Sequence, residues 1–563
     1  MHASTLHAFP DTTPAKTFLL IPAMPTPNGR FHLGHIGGPL LKLDVMARLL
    51  RTRGHTAHLM MATDIYEAHV PLQAEKEGRS STSVINDNCV LMQQDLLAFN
   101  IEYDVWFNPL QQPARALYER HNLGFLQRLI DNGEVRYVQR AMPFSRELQR
   151  YVARSLVAGA CPSCGSGASG GVCEACGSQF SSHELHNAYM MRNDGSRAPD
   201  GDLDWREQPI LEFAFAPDDP RLATLIDLIN ESGAANCYRE IALKDAMNLR
   251  ARSELTTPGV WGIAWDVPSE HPHIIYNYCT IYPYMLALGE LYGQFSGTAR
   301  NAFELDSDIV SIFSFGTDVT VCGITYPKAF ALVDTDSEQR PRYKTFDHYW
   351  GNAFLLLEGS KFSTSRRHVI WASELIEKTP VSADAARYYL ALIDPREAQT
   401  TFTLDGLLGT INDIVSAQII AGAHELATEC FELSAKPPSA VLRAALWDTF
   451  CRQEACMARD NLDLCAFASS IRDWFDRLAE GIAPTVQDRY WFIKGLAVLA
   501  YPLMPDFASR LWRSLGHAGE PSLVAFWALT VPGKPMFGVP AILRIEDLYP
   551  CLPETLRVRE GCQ

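Results

Sequence analysis

The sequence predicts an α/β protein that begins with a parallel sheet, continues with a cysteine-containing segment and ends in a helical region. Three observations predict it. Apolar runs alternate with helical periodicity over the first hundred residues, paired Cys-x-x-Cys motifs occupy the middle, and helical patterns follow residue 404. The length of 563 residues agrees, because it accommodates three or four domains of about 150 residues each.

The first strand and the turn behind it form the stretch around which the chain is organised. Residues 18–21 are apolar and predict a buried parallel strand, and a helical pattern covers residues 39–53. His32-Leu33-Gly34-His35 lies between them, with two histidines at i, i+3 spacing. A strand, a loop and a helix N-terminus create an anion site, where neutral imidazoles can donate to phosphate oxygens. Gly34 leaves room for a flat ring; the alternative is a glycine-tolerant turn with surface histidines.

A second predicted strand, residues 57–62, ends in Thr63-Asp64. Polar residues after successive parallel strands place ligands at the carboxyl edge of the sheet. The block P-T-P-N-G-x-x-H-L-G-H, then R-x-R-G-H, then A-T-D resembles the opening of class I aminoacyl-tRNA synthetases, and within that class methionyl-tRNA synthetases. The resemblance implies a class I synthetase, Rossmann-like parallel sheet with a zinc-knuckle insertion and a C-terminal α-helical bundle.

Composition narrows the class of protein. With 47% hydrophobic and 20% charged residues, the chain is typical of a soluble globular protein. No apolar run approaches the roughly 20 residues that span a bilayer, and no signal peptide is evident, so we expect a cytoplasmic enzyme that does not bind membranes. The formal charge of −16 argues against broad electrostatic capture of nucleic acid, although a local basic patch stays compatible with it.

Four of the fourteen cysteines form two Cys-x-x-Cys pairs separated by a Gly/Ser-rich loop: Cys161, Cys164, Cys173 and Cys176. Tetrahedral Zn²⁺ prefers four thiolates presented by two tight turns, and Gly165 and Gly177 suit such turns. Because a Cys₄ site leaves no open position, the predicted zinc is structural. The alternative is four unliganded or disulfide-bonded cysteines. The sequence motifs C-P-x-C and C-E-x-C-G resemble the zinc knuckle of the connective insertion in methionyl-tRNA synthetases.

The resemblance also implies roles for individual residues. Gly359–Arg367 resembles the KMSKS loop that closes over ATP, and Gly316-Thr317-Asp318 matches the element that takes a ribose hydroxyl. The implied catalytic residues are His32, His35, Lys361, Ser363, Thr364 and Arg366. The implied ATP contacts are Gly34, Gly316 and Asp318. The implied amino-acid pocket contains Met24, Asp64, Asn277, Tyr284, Val319 and Gly323. The substrates would be ATP with Mg²⁺ and an amino acid, activated as an aminoacyl-adenylate.

Four departures from the family bear on function. Thr364 stands where the second lysine of the loop belongs, so charge stabilisation should fall unless a neighbouring arginine replaces it. Asn277 stands at a family tryptophan and Gly323 at a family histidine, so we expect a larger, more polar pocket that suits a methionine thioether poorly. Thr485 falls at the anticodon-stacking tryptophan, and losing a stacked ring removes roughly 1–3 kcal/mol per base.

The expected domain organisation follows the motifs. We expect a nucleotide-binding first half, a connective insertion with the zinc knuckle, a second half, a stem-contact region with the KMSKS-like loop, and an anticodon-binding-like bundle: residues 1–110, 111–250, 251–345, 346–403 and 404–563. The favoured function is ATP-dependent amino-acid activation followed by transfer to a small-molecule amine or another non-tRNA acceptor. The alternatives are a divergent methionine–tRNA ligase and a catalytically weak binding or regulatory protein on the same scaffold.

Overall fold

The computed structural model describes residues 15–276, 279–363, 367–458 and 461–557. Its centre is a parallel sheet of five strands, numbered here in chain order: β1 Thr17–Pro22, β2 Thr56–Ala62, β3 Val105–Phe107, β4 Val310–Gly316 and β5 His348–Asn352. Their order across the sheet is β5-β4-β1-β2-β3. The chain therefore winds outward from β1 in one direction and returns on its other side. This arrangement confirms the predicted α/β class.

The first strand forms because its residues are apolar on both sides. Leu19, Leu20 and Ile21 are fully buried. Leu20 belongs to the core shared with the helix Leu41–Thr52, whereas Leu19 and Ile21 belong to the core on the opposite face. A parallel strand covered on both faces typically has such a continuous apolar run.

Helices connect the first three strands. The predicted helix at residues 39–53 begins earlier, as a short helical turn and a π-helical turn containing Pro39, and becomes regular at residue 41. The helical segments before β3 are Leu33–His35, Ile36–Leu40, Leu41–Thr52, His69–Glu77 and Ser81–Ala98. Ser80 caps the last of these by accepting a hydrogen bond from the Ser83 N–H, which fixes its start.

The segment between β3 and β4 holds a four-stranded antiparallel sheet, dominated by one long strand pair, and two small three-stranded sheets. Its strands are Val135–Ser145, Arg150–Tyr151, Val157–Ala160, Gly167–Ser169, His186–Met190, Leu203–Phe213, Ser253–Glu254, Thr256–Pro258, Ala264–Trp265 and His273–Ile275. Its helices are Ala114–Asp131, Arg221–Asn230 and Asn236–Leu249, and Ile281–Ser296 leads into β4. The small sheet centred on Val157–Ala160 carries the four predicted zinc ligands in its loops.

After β4 the chain adds β5 to the edge of the central sheet and then forms a β-hairpin. Its remaining helices up to residue 403 are Tyr326–Val333, Ala372–Glu377 and Ala383–Leu392. Leu355–Leu357 pairs with Ser360–Lys361 in an antiparallel hairpin and with Thr400–Phe402 in parallel. Glu358 and Gly359 make the turn with φ of 48° and 79°, the left-handed conformation that a two-residue hairpin turn requires.

Helices dominate the rest of the chain, as predicted. They are Leu404–Gly409, Thr410–Ile420, Ala421–Glu429, Ala440–Cys456, Leu464–Asp476, Val486–Ala500, Pro505–Ser514, Ile545–Cys551 and Glu554–Arg557, with one short strand pair, Met457–Ala458 and Asn461–Leu462. Within the described residues, the run Leu404–Glu429 is long and apolar enough to cross a membrane. This differs from the expectation of no such run. Its buried residues recur every fourth position and face the bundle core: Leu407, Ile411, Val415 and Ile419.

A buried arginine joins the helices around the central sheet to the C-terminal bundle. Arg387 is fully buried and its guanidinium donates to the Asp44 carboxylate at 2.6 Å. The same group donates to the carbonyl oxygens of Phe99, Pro502 and Leu503 at 2.8–2.9 Å. Three chain segments distant in sequence therefore meet at one charge, which supplies a donor to each of three backbone carbonyl oxygens.

Replacing Arg387 by Met should destabilise the protein. The substitution leaves three carbonyl oxygens without a donor and removes one cation from Asp44, which keeps only Arg48 at 2.9 Å. Breaking such a buried pair costs about 3–5 kcal/mol of unfolding free energy, measurable by urea denaturation. The matched control is Arg452→Ala, because Arg452 pairs with Asp448 on an exposed helix face; it should change stability by no more than about 0.5 kcal/mol. Equal urea midpoints for the two variants would contradict the assignment.

Candidate functional site

The carboxyl ends of the strands collect most of the predicted site residues. Met24 lies in the loop after β1, Asp64 follows β2, and Gly316 ends β4 with Asp318 in the turn behind it. Strands β1 and β4 are neighbours whose connections leave in opposite directions. Crevices at such a switch point, outside the carboxyl ends of the strands, are where open parallel sheets bind ligands.

Backbone N–H groups hold each of the two histidines in one tautomer. The Nδ1 atom of His32 accepts from the Gly34 N–H at 3.1 Å, and the Nδ1 atom of His35 accepts from the His32 N–H at 3.2 Å. An Nδ1 that accepts is unprotonated, so this hydrogen-bond network assigns the ring proton of each neutral imidazole to Nε2. Both rings can therefore donate through Nε2–H.

Burial keeps both imidazoles neutral. Desolvation lowers the pKa of His35 to about 4. The pKa of His32 is also lowered well below its usual value, first by burial and then by its electrostatic interactions with His35 and Lys361. At neutral pH the pair consequently offers two hydrogen-bond donors without adding charge, as the sequence analysis expects of a phosphate-binding turn.

Packing explains why glycine occupies position 34. A Cβ atom there would lie 2.9 Å from Cε1 of His32 and 3.3 Å from the Phe362 ring. The Phe362 ring stacks on His32 with centroids 4.7 Å apart and planes 5° from parallel. The room expected at Gly34 for a flat ring is thus taken by the imidazole of His32 itself, which Phe362 holds in place.

A buried carboxylate fixes the loop before the histidines. Asp95 accepts from the Arg30 guanidinium at 2.6 and 3.1 Å and from the Phe31 N–H at 3.0 Å. It also accepts from the Ser373 N–H at 2.9 Å. Asp95 is fully buried, so these donors compensate its desolvation and lock the backbone directly before His32. Sequence patterns did not identify Asp95, because its partners lie far apart in the chain.

Asp318 sits in a 3₁₀ turn at the end of β4. Burial, followed by the negative charge of Glu174, raises the pKa of this carboxyl to about 6, and Lys361 opposes the shift. A Cβ atom at Gly316 would lie 2.7 Å from Oδ1 of Asp318, so glycine leaves the carboxylate its position. A carboxylate here can accept from the hydroxyl groups of a sugar.

A cavity of about 760 Å³ opens beside this turn. Its lining brings three predicted residues together, Asp318, Lys361 and Ser363. It also contains polar residues that sequence reasoning missed: Thr26, Glu67, His69, Arg154 and Glu174. Glu174 could have been noticed as the acidic residue inside the second Cys-x-x-Cys pair, but nothing in the spacing places it opposite β4. Three predicted site residues, Asn277, Thr364 and Arg366, lie outside the described residues.

The predicted amino-acid pocket is tighter than expected at one position. Asp64 donates its backbone N–H to the Pro25 carbonyl at 2.9 Å, and the buried Tyr284 hydroxyl donates to the Pro22 carbonyl at 3.0 Å. A Cβ atom at Gly323 would lie 2.8 Å from Phe313 and 3.6 Å from Val319. The expected enlargement at Gly323 is therefore wrong, because the Phe313 ring fills the space that a side chain there would occupy.

The four cysteine thiols converge as predicted. The sulfur atoms all lie within 4.8 Å of one another, with Cys161 and Cys176 at 3.9 Å and Cys164 and Cys173 at 3.7 Å. Four sulfurs about 2.3 Å from one Zn²⁺ would be about 3.8 Å apart, so the donor set fits this ion. Both turns use the same backbone bonds, for example Gly165 N–H to Cys161 O at 3.0 Å and Gly177 N–H to Cys173 O at 2.8 Å.

Comparison with known proteins gives one family. Residues 18–424 match the model described as tRNA synthetases class I (M). A methionine–tRNA ligase of Chlorobaculum tepidum is 23% identical over 93% of this chain and 76% of its own length. That of Cytophaga hutchinsonii is 24% identical over 70% of this chain and 56% of its own length. This chain therefore spans between about half and three quarters of these relatives.

A solved structure shares the fold. The crystal structure of Mycobacterium tuberculosis methionyl-tRNA synthetase bound by methionyl-adenylate aligns with a TM-score of 0.69 at 16% sequence identity. The alignment covers 93% of this chain and 100% of that one. At this identity the likeness concerns the fold.

Proposed function

The chain belongs to the class I tRNA synthetases (M), a family of ATP-dependent ligases, and we propose that it activates an amino acid with ATP and transfers it to a small-molecule amine. The observation that carries the activation step is the histidine turn: two half-buried, neutral imidazoles with Nε2–H donors stand at the switch point of the sheet. Asp318 and Lys361 line the cavity beside that switch point.

These residues divide the work of adenylation. His32 and His35 donate to phosphate oxygens, Asp318 accepts from the ribose hydroxyls, and Asp64 holds the α-ammonium group. A carboxylate oxygen of the amino acid attacks the α-phosphorus, and the bond to the β-phosphate oxygen breaks with its electron pair, releasing pyrophosphate. Lys361 and Ser363 stabilise the charge that develops on the leaving group. ATP would bring Mg²⁺ with it, and the ion would supply positive charge that offsets part of the triphosphate charge.

Pyrophosphate exchange with a panel of amino acids tests the activation step. The wild-type chain should support exchange with at least one amino acid. His35→Ala should reduce the exchange rate by about 10²–10³, the effect of removing one preorganised donor. His424→Ala is the control, because His424 packs against Phe537 in the bundle and should leave exchange unchanged. Absence of exchange with every amino acid would favour the weak binding protein; exchange that is insensitive to His35 would place ATP elsewhere.

The residue at position 485 of the C-terminal bundle supports the proposal that the acceptor is a small-molecule amine. Thr485, at the predicted position of the anticodon-stacking ring, caps the helix Val486–Ala500: its Oγ1 accepts from the Asp488 N–H at 3.0 Å and donates to the Asp488 carboxylate at 2.8 Å. The position thus supplies a cap and no aromatic surface for a base. The formal charge of −16 further disfavours a polyanionic acceptor. The second candidate, transfer to methionine tRNA, is favoured by relatives named methionine–tRNA ligase.

Discharge of the adenylate separates the two acceptors. Purified protein is incubated with ATP and the amino acid found by exchange, and then with either a small primary amine or methionine tRNA. We expect amine-dependent release of AMP with formation of the amide, and no aminoacylation of the tRNA. The variant Thr485→Trp restores an aromatic ring at this position. If the rest of the bundle also lacks tRNA contacts, this variant should still not aminoacylate methionine tRNA. Charging that depends on the anticodon would establish the ligase instead.

We propose a structural Zn²⁺ held by the four cysteines, in a protein that functions in the cytoplasm. Protein prepared without chelator should contain about one Zn²⁺ per chain by elemental analysis. Cys164→Ser should lose the metal and make the segment around residues 157–190 sensitive to protease, while leaving the central sheet protected. Cys451→Ser is the control, since Cys451 is an exposed thiol of the bundle. Metal-free wild-type protein would refute the site.

A further inference from the structure

An acidic residue of the cysteine knuckle reaches the loop that carries Lys361. Glu174 lies between Cys173 and Cys176, and its carboxylate forms an ion pair with the Lys361 ammonium across 187 residues of sequence. The ammonium also lies over the Phe354 ring, 5.1 Å from its centroid. Both members of the pair line the 760 Å³ cavity together with Asp318. The adenylation step proposed above assigns no role to Glu174.

Hydrogen bonds and close packing fix the backbone of the knuckle that carries Glu174. The knuckle turn is closed by hydrogen bonds from the Cys173 N–H to the Ser178 carbonyl and from the Gly177 N–H to the Cys173 carbonyl, at 2.9 and 2.8 Å. Gly177 packs so closely against the turn after β4 that a Cβ atom would lie 3.2 Å from the Thr317 carbonyl oxygen. The knuckle turn that carries Glu174 therefore also packs against the turn that carries Asp318.

Solvent reaches both members of the ion pair. Their side chains are 47% and 53% exposed, so water competes for both charges and the pair contributes little to stability. A triphosphate offers Lys361 more negative charge than one carboxylate does. An ammonium is a point charge on a flexible stem, and it can leave one anion for another by rotating its side chain.

We propose that Glu174 is a positioning residue that holds Lys361 on the knuckle side of the cavity until the triphosphate of ATP displaces it. The inference rests on the ATP site proposed above. Binding of ATP must then break the ion pair, so the pair lowers the affinity for ATP and keeps the lysine oriented in the ligand-free protein. The knuckle thereby contributes to substrate binding through a side chain, besides its structural role.

Equilibrium dialysis with Mg-ATP, in the absence of any amino acid, tests the proposal. Glu174→Gln keeps the shape of the side chain and removes its charge. It should lower the Kd for ATP about two- to fivefold, the range that corresponds to an exposed ion pair. Glu147→Gln is the matched control, because Glu147 is 51% exposed, lies between β3 and β4 and pairs with Arg192. Its Kd should equal that of the wild type. An unchanged or raised Kd in Glu174→Gln would overturn the proposal.

The same Glu174→Gln substitution in Lys361→Gln protein distinguishes two explanations. The gain in ATP affinity could come from release of Lys361 or from loss of repulsion between Glu174 and phosphate. In Lys361→Gln protein the ion pair is already absent, so adding Glu174→Gln should change the Kd for ATP by less than 1.5-fold, roughly the limit of such coupling measurements. If the full two- to fivefold gain persists there, repulsion alone explains it and the positioning role is refuted. Wild-type protein that binds no ATP would overturn both this inference and the proposed function. ATP binding with no effect of Glu174 would overturn the inference alone.

Discussion

The structure depends on satisfying a small number of charges that have been withdrawn from water. Arg387 illustrates this constraint, because a fully buried guanidinium is tolerated only where every N–H direction meets an acceptor. Its partners are one carboxylate and three carbonyl oxygens from the sheet region and the bundle. These hydrogen bonds fix the position of the bundle relative to the sheet region. A shift of either part would break them.

The same requirement shapes the candidate site. Asp95 is buried and receives the forked Arg30 guanidinium and two backbone N–H groups, so the loop ahead of His32 has one conformation. His32 and His35 are then neutral because they are desolvated, and their tautomers follow from backbone hydrogen bonds. Phosphate recognition by two neutral donors needs this prior order, since a donor that must reorganise on binding contributes less.

The cysteine knuckle lies close to the candidate site although its metal site would be structural. Four cysteine ligands leave a zinc ion no open coordination position, so the ion would stabilise the fold and would not bind substrate. The fold nevertheless packs the knuckle against the turn that carries Asp318 and gives its one acidic side chain to Lys361. An element that a sequence motif marks as purely structural thus lies within contact distance of the groups proposed to bind ATP.

Local sequence determined much of this architecture: the apolar run of β1 required burial on both faces, and the paired cysteines predicted the converging thiols. Helical periodicity likewise predicted the helices that follow residue 404. Tertiary structure decided what lies opposite each group. The Phe313 ring fills the space beside Gly323, and Glu174 meets Lys361 across 187 residues. Motifs record local backbone geometry and burial, whereas contacts between distant segments depend on how the completed sheet, knuckle and bundle pack together.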